Sequence, residues 1–252
     1  MDRLSLLRQK NPGLAIHTVD EPLFRRYARL VESPVFAEVA AYIDRTTTVP
    51  ERNTYVADVP ELHTPETDAA LSAFYGGLVP QIGWCNGPNF SMNGSEYHKG
   101  PELTIAITDC LMWWMLSEDL VDFEHVDSSK AEVFYIPQGC AFLLKPEILH
   151  LAPCKVDSRG YKTVIILPMG TNRPIDPELK AAIKANGDPE SKILHMSNKY
   201  MITHKDWQPL VSQGVHIGLL GENRRVPYRA YLRRRPPRRL GCRLRVSSTR
   251  VV

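Results

Sequence analysis

The sequence predicts a mainly β protein, an antiparallel sandwich or barrel preceded by a helical segment. Between Gln81 and Met169 the runs QIGWCN, ELTIAITD, CLMWWML, AEVFYIP, CAFLLK, EILHLAPCKV and GYKTVIILPM are short, β-rich and broken by Gly, Pro, Asn or Asp. No helical periodicity separates them, which excludes the alternating units of a parallel α/β sheet. Before Gln81 the apolar spacing is that of amphipathic helices.

The elements follow in order. Asp20 is placed to cap a helix over EPLFRRYARLV, with Phe24, Tyr27, Ala28 and Val31 on one face. Ser33 and Pro34, a cap and a first-turn proline, open a second helix in which Phe36, Val39, Ala40 and Ile43 align. Thr64-Pro65-Glu66 repeats that signal for a third helix, stopped by Gly76-Gly77. ELTIAITD alternates as a strand, with Leu103, Ile105 and Ile107 on one face and Glu102, Thr104, Ala106 and Thr108 on the other. After Asn172, DPELKAAIKANG reads as a helix ended by Gly187, and SKILHMSNKYMITHKDW as one or two strands. These elements divide residues 1–223 into a helical segment (about 1–80) and a barrel (about 81–220).

Composition narrows the function classes. Hydrophobic residues make up 43% and charged residues 23%, which excludes wholesale disorder. No apolar run approaches the ~20 residues of a membrane span, and the opening MDRLSLLRQKNPGL has no continuous apolar core, so a cytoplasmic protein without a membrane partner is expected. The net charge of +3 belongs to residues 224–252, which hold 11 Arg and no acidic residue; the remainder has 20 basic and 28 acidic side chains. A body of that sign repels polyanions, so nucleic acid is excluded as its partner, and the Arg-rich stretch reads as a disordered extension. The five cysteines, Cys85, Cys110, Cys140, Cys154 and Cys242, contain no C-x-x-C pair and read as reduced thiols.

Chemistry concentrates in SEYHKGPEL. Glu96 and His98 are two apart and share a strand face, Gly100-Pro101 is a turn, and Glu102 opens the next strand, so the three donors are expected to converge across one hairpin. His150 lies far along the chain, inside the apolar run EILHLAPC. This spacing resembles the cupin pattern, H-x-H-x(3,4)-E followed by a late His after P-x-G, here Pro137-Gln138-Gly139. Glu96 stands where the first His is usual and Phe142 where the late one is, so the late ligand is assigned to His150. The resemblance implies a cupin double-stranded β-helix, a jelly-roll barrel with N-terminal helices. Its implied metal ligands are Glu96, His98, Glu102 and His150, holding a divalent Mn, Zn, Co or Fe ion.

The strings QIGWCNGPN, EYHKGPEL, LHLAPCKV, VIILPMGTN and GLLGEN resemble a family of cupin-type proteins that includes sugar isomerases acting on sulfoquinovose, the 6-sulfonated glucose of sulfoglycolysis. The resemblance implies a metal-dependent aldose–ketose isomerase forming 6-deoxy-6-sulfofructose, with a homodimer as the expected assembly. Glu102 is the first candidate for the base that moves the C2 proton, with Glu132 and His204 behind it. A sulfonate needs donors, for which Asn86, Asn89, Lys155, Lys162 and the Arg52-Asn53 pair are candidates. Trp113 and Trp114 project to opposite faces, and Trp113 is taken as the ring that lines a sugar cavity. An Fe(II) dioxygenase and a non-catalytic sugar-binding cupin are the competing readings.

Overall fold

A computed structural model describes residues 2–227. The strand Glu102–Ala106 shows how the barrel is built, because its two faces are both buried against different partners. Leu103 and Ile105 pack outward beneath helices, with Phe36, Val39, Ile43 and Leu71 above them. Ala106 turns inward to the barrel core, and alternation turns Glu102 and Thr104 the same way. The apolar face of this strand is therefore its outside, and its polar face lines the interior.

Two curled sheets enclose that interior. The first runs Ala28–Leu30, Ala141–Leu144, Glu102–Ala106, Tyr161–Pro168, Pro80–Gly87, Thr54–Val56, antiparallel throughout. In the second, Ile16–Thr18 lies parallel to Glu132–Ile136, which pairs with Cys110–Leu116; Ile148–Leu149 and Cys154–Lys155 add to the other side of Cys110–Leu116. Between them lies one apolar core, which includes Phe24, Tyr27, Trp114, Phe134 and Phe142, with ring centroids as close as 4.6 Å. This is the mainly β, cupin-type barrel expected. A third sheet of Leu194–Met196, Lys199–His204, His216–Leu220 and Val126–Asp127 also takes Gly94–Tyr97 against Lys199–His204.

Several expectations need correction. The first eighty residues are not a separate helical segment, since Ile16–Thr18, Ala28–Leu30 and Thr54–Val56 each cover a sheet edge. The helix expected over 21–31 is one turn, Phe24–Tyr27, after which Ala28–Leu30 pairs with Ala141–Leu144. Helix spacing set Phe24 and Tyr27 on one face correctly, but an unpaired strand edge outweighs a weak local preference. The Ser33 side chain makes no cap; its carbonyl accepts from Phe36 N–H, and Phe36–Thr46 begins after Val35. The third helix, Pro65–Ser72, starts as expected, with the Thr64 hydroxyl accepting from Thr67 N–H, and the chain leaves it through left-handed Gly76 at φ 62°. Pro177–Ala185 is capped by Asp176.

Nor does the body end at Asn223. Arg224 carries its guanidinium over the Trp113 ring at 5.1 Å, Met92 N–H donates to Arg224 O, and Val226 is fully buried. The expectation for 228–252 lies outside the described residues. No described helix is long and apolar enough to cross a membrane.

Truncation after Asn223 should lower stability by about 1.5–3 kcal/mol relative to a chain ending at Pro227, the value of burying one valine; equal melting temperatures would contradict this. A second expectation concerns His63, whose ring nitrogens stand 2.8 Å from Asp58 and 2.7 Å from Asp68. Burial opposes its protonation, but the two aspartates outweigh it and raise its pKa. A raised folded-state pKa stabilises fully below the unfolded value of about 6.5 and ceases to do so as pH rises through the folded value. His63→Asn should therefore cost about 0.5–1 kcal/mol near pH 5.5, partial exposure limiting the sum, and less at pH 9. Denaturation at both pH values checks the sign.

Candidate metal centre

Glu96 and Glu102 are close in sequence but lie in different sheets. Glu102–Ala106 has neighbours on both sides, Ala141–Leu144 and Tyr161–Pro168, so it has no free edge for Gly94–Tyr97. The expected hairpin does not form; Gly100-Pro101 instead carries the chain from the third sheet to the first. On one side Glu96 faces Met201, and on the other it forms an isolated antiparallel bridge with His150. Glu96 N–H donates to His150 O at 2.6 Å, and His150 N–H to Glu96 O at 2.8 Å. Glu147 N–H donates to His98 O at 2.9 Å, joining the same two segments one step further on.

These main-chain ties bring four side chains together, all of them buried: Glu96, His98, Glu102 and His150. Donor atoms of Glu96, His98 and His150 lie within 4.8 Å of one another. Glu102 Oε2 stands 3.3 Å from His150 Nε2 and 3.7 Å from His98 Nε2, and Glu96 Oε1 is 3.9 Å from His98 Nε2. Ligands on one cation with bonds of roughly 2.1 Å stand about 3–3.5 Å apart, so these donors would draw together on binding one.

The surroundings orient these donors. His98 Nδ1–H donates to Asn198 O and His150 Nδ1–H to Ile148 O, each at 2.8 Å. Both rings thus turn Nε2 inward, the arrangement usual for metal-ligating imidazoles. His98 Nε2 is buried with no hydrogen-bond partner among the described residues. The Thr104 hydroxyl donates to Glu102 Oε1 at 3.1 Å, leaving Oε2 for the histidines. Lys199 forms an ion pair with Glu96 Oε2. Mixed nitrogen and oxygen donors with an unpaired inward nitrogen fit a divalent cation.

Charge is balanced tightly inside this shell. Burial would raise the Glu96 and Glu102 carboxyls, but Lys199 beside the first and His150 beside the second, with the other imidazole adding, hold both below the usual range. His98 is lowered by burial, which the carboxylates only partly offset. Burial acts on His150 in the same direction, yet Glu102 overcomes it and carries the ring up to about 9.

The other expected residues lie elsewhere, each with a partner of its own. Glu132 is half exposed and faces His17 Nε2 at 3.2 Å, so it is not placed to be the base. His204, at the end of its strand, accepts from Asp206 N–H and donates from Nε2 to Gly221 O, both at 3.2 Å. Asn86 donates to Thr47 Oγ1 and accepts from Thr163 N–H, and Asn89 donates to Ser91 O. Asn53 accepts from Asn89 N–H. Lys162 donates to Asp44 O and Thr47 O, the exposed carbonyls at the end of Phe36–Thr46, where a cation is favoured. Lys155 sits over the Phe90 ring. Trp113 donates to Cys154 Sγ under Arg224, while Trp114 packs among the barrel rings.

Sequence reasoning missed Lys199, Tyr55, Asn172 and Asn198. Burial, the largest influence, pushes the Tyr55 hydroxyl well above its usual range, with Glu102 and Glu96 adding to it against the Asn172 amide. None of these residues carries a motif spacing, and only their arrival from three separate segments marks them.

No curated protein matches the chain. Among solved structures it is similar to HppE with Co(II) and Tris buffer, at 15% identity over 49% of this chain and 57% of that one, with a TM-score of 0.29. Salicylate 1,2-dioxygenase from Pseudaminobacter salicylatoxidans is 9% identical over 52% and 31%, with a TM-score of 0.27. The polyketide cyclase RemF from Streptomyces resistomycificus is 14% identical over 48% and 70%, with a TM-score of 0.26. The match spans 57% of the HppE chain and 31% of the dioxygenase chain, less than two thirds of each. Residues 16–224, which hold the barrel and all four converging donors, match the family described as "Domain of unknown function (DUF4867)", and the chain belongs to that family.

Proposed function

We propose that the protein is a metal-dependent aldose–ketose isomerase. The observation that carries this reading is the convergence of two oriented imidazoles and two carboxylates on one buried point. Glu96, His98 and His150 would hold the ion, and a bound divalent cation supplies Lewis-acid polarisation of a carbonyl. Glu102 has one oxygen fixed by Thr104 and the other toward the histidines, and the neighbouring His150 keeps it ionised, the form a base needs. It removes the C2 proton of the aldose, giving a cis-enediol, and returns that proton to C1 as the O2 proton passes to O1. General acid–base transfer of this kind contributes typically ~10²–10⁴-fold in rate.

Sulfoquinovose is the substrate that the sequence resemblance implies. The nearest cation is not one of those first considered: Lys155 and Lys162 lie away from the donor cluster, whereas Lys199 stands at it, paired with Glu96. Lys180 donates to His195 O at 2.6 Å, and His195 lies within the field of both lysines. A second reading has a specific observation behind it, since Glu96, His98 and His150 also form the two-histidine, one-carboxylate set of an Fe(II) oxygenase.

His98→Ala and His150→Ala should each lose bound metal by elemental analysis while keeping β-rich circular dichroism, because the barrel core does not depend on them; stoichiometric metal in either variant would sink the ligand assignment. Proton NMR in D₂O with Mn²⁺ or EDTA, on sulfoquinovose, glucose, mannose and lyxose, reads the reaction. Metal-dependent aldose-to-ketose conversion is expected, reduced about 10²–10⁴-fold in Glu102→Gln with sugar affinity retained. Oxygen consumption without an isomeric product would favour the oxygenase.

A further inference from the structure

One wall of the interior faces Glu102 across the first sheet. Gln81 pairs with Leu167, and the register Ile166–Leu103 puts Leu167 beside Glu102. Gln81, Leu167 and Glu102 thus form a transverse row pointing inward, with Gln81 and Glu102 about 10 Å apart, two strand spacings. The next inward position on the Gln81 strand is Gly83, where a Cβ would meet Val56 O at 1.9 Å and Ala57 O at 2.6 Å. Only glycine lets the chain at 56–57 fold over the inner face here, and this crossing sets Tyr55 above Gln81.

There the Tyr55 hydroxyl oxygen accepts from Gln81 Nε2 at 3.3 Å and from Asn172 Nδ2 at 3.2 Å. With its oxygen accepting both, the phenol has its own proton left to donate, and it has no acceptor among the described residues. Asn172, left-handed at φ 66°, has a buried Oδ1 with no partner among the described residues. Tyr55 is 37% exposed, which places this pair where a solute can reach it.

The frame behind them is rigid. Gln81 Oε1 accepts from Gly170 N–H and its Nε2 donates to Thr171 O, both at 3.0 Å. Asn198 Nδ2 donates to Thr171 Oγ1 at 3.1 Å while its carbonyl holds His98 Nδ1–H. One hydrogen-bonded network therefore fixes both a metal-side imidazole and the Tyr55 hydroxyl.

We propose that Tyr55, held by Gln81 and Asn172, is the substrate-contacting residue on the wall facing Glu102, donating its O–H to an oxygen of a polyhydroxylated substrate while the Asn172 carboxamide takes a neighbouring hydroxyl. A polyol offers acceptor and donor on adjacent carbons, as this pair requires. A ligand with its anion at this wall would meet the field of Glu102 and Glu96. The proposal deepens the isomerase reading by naming how that site holds its sugar.

The test is equilibrium binding of D-glucitol, a polyol with no carbonyl to react, and of sulfoquinovose to the full chain loaded with Mn²⁺. Tyr55→Phe should raise Kd at least tenfold for both, and Asn172→Gly, which keeps the left-handed backbone, at least threefold; metal content should be unchanged in each. Tyr55→Phe or Asn172→Gly binding as tightly as the parent overturns the proposal, as does a parent that binds neither compound. Should the Phe variant fail to fold, the Gly variant decides. Parental binding with no conversion of any aldose would defeat the isomerase reading and leave this one standing.

Discussion

The pair of main-chain hydrogen bonds between Glu96 and His150 is the constraint on which the site depends. Ile148–Leu149 and Gly94–Tyr97 are short strands in different sheets, each paired with its own neighbour, and the bridge ties one to the other. The bridge locks them in one register. In an antiparallel bridge directly opposed side chains emerge on the same face, so fixing this register fixes Glu96 beside His150. A slip of one residue would present Tyr97, whose ring stacks on Tyr200 at 5.1 Å, and would send Glu96 into the apolar side of the third sheet.

The barrel interior holds a cluster of aromatic rings beside a polar patch of Thr104, Glu102 and the imidazoles. The aromatic cluster explains why the late histidine is not where the P-x-G motif suggests. Phe142 pairs with Thr104 across the sheet but packs with Phe24 and Trp114. An imidazole there would be buried among rings with its N–H groups unpaired, a cost of about 1–3 kcal/mol. The chain instead continues through left-handed Glu147, at φ 61°, and delivers His150 from the adjoining segment.

Much of this could be read from the amino acids. The β texture from Gln81 onward, the Thr64 and Asp176 caps and the alternation of ELTIAITD all report local preferences that tertiary contacts leave intact. Alternation did not reveal which face was inside, because both faces are buried and only the helices above Leu103 distinguish them. The donors Glu96, His98, Glu102 and His150 were legible from motif spacing, although the hairpin proposed to unite them was not the cause. The substrate residues were not legible. Asn86, Asn89 and Lys162 look like free polar groups in the sequence and are spent on main-chain carbonyls, helix ends and turns.

Lys199 shows what such a reading lacks. It projects from a strand whose sequence, KYMITH, has nothing in its spacing to suggest an active site, and its ion pair holds Glu96 Oε2 away from the imidazoles. That leaves Oε1 as the single Glu96 atom facing His98, a one-oxygen donor rather than a chelating pair. Glu102 is divided in the same way by Thr104. Each carboxylate therefore offers one oxygen inward and has the other engaged, which limits the protein donors to two nitrogens and two oxygens. With Glu96, His98 and His150 as its ligands, a cation there would keep positions for substrate oxygens, and the inward oxygen of Glu102 would remain to act on the substrate. The restraint imposed by a lysine and a threonine, neither of them a candidate ligand, would keep such a shell open.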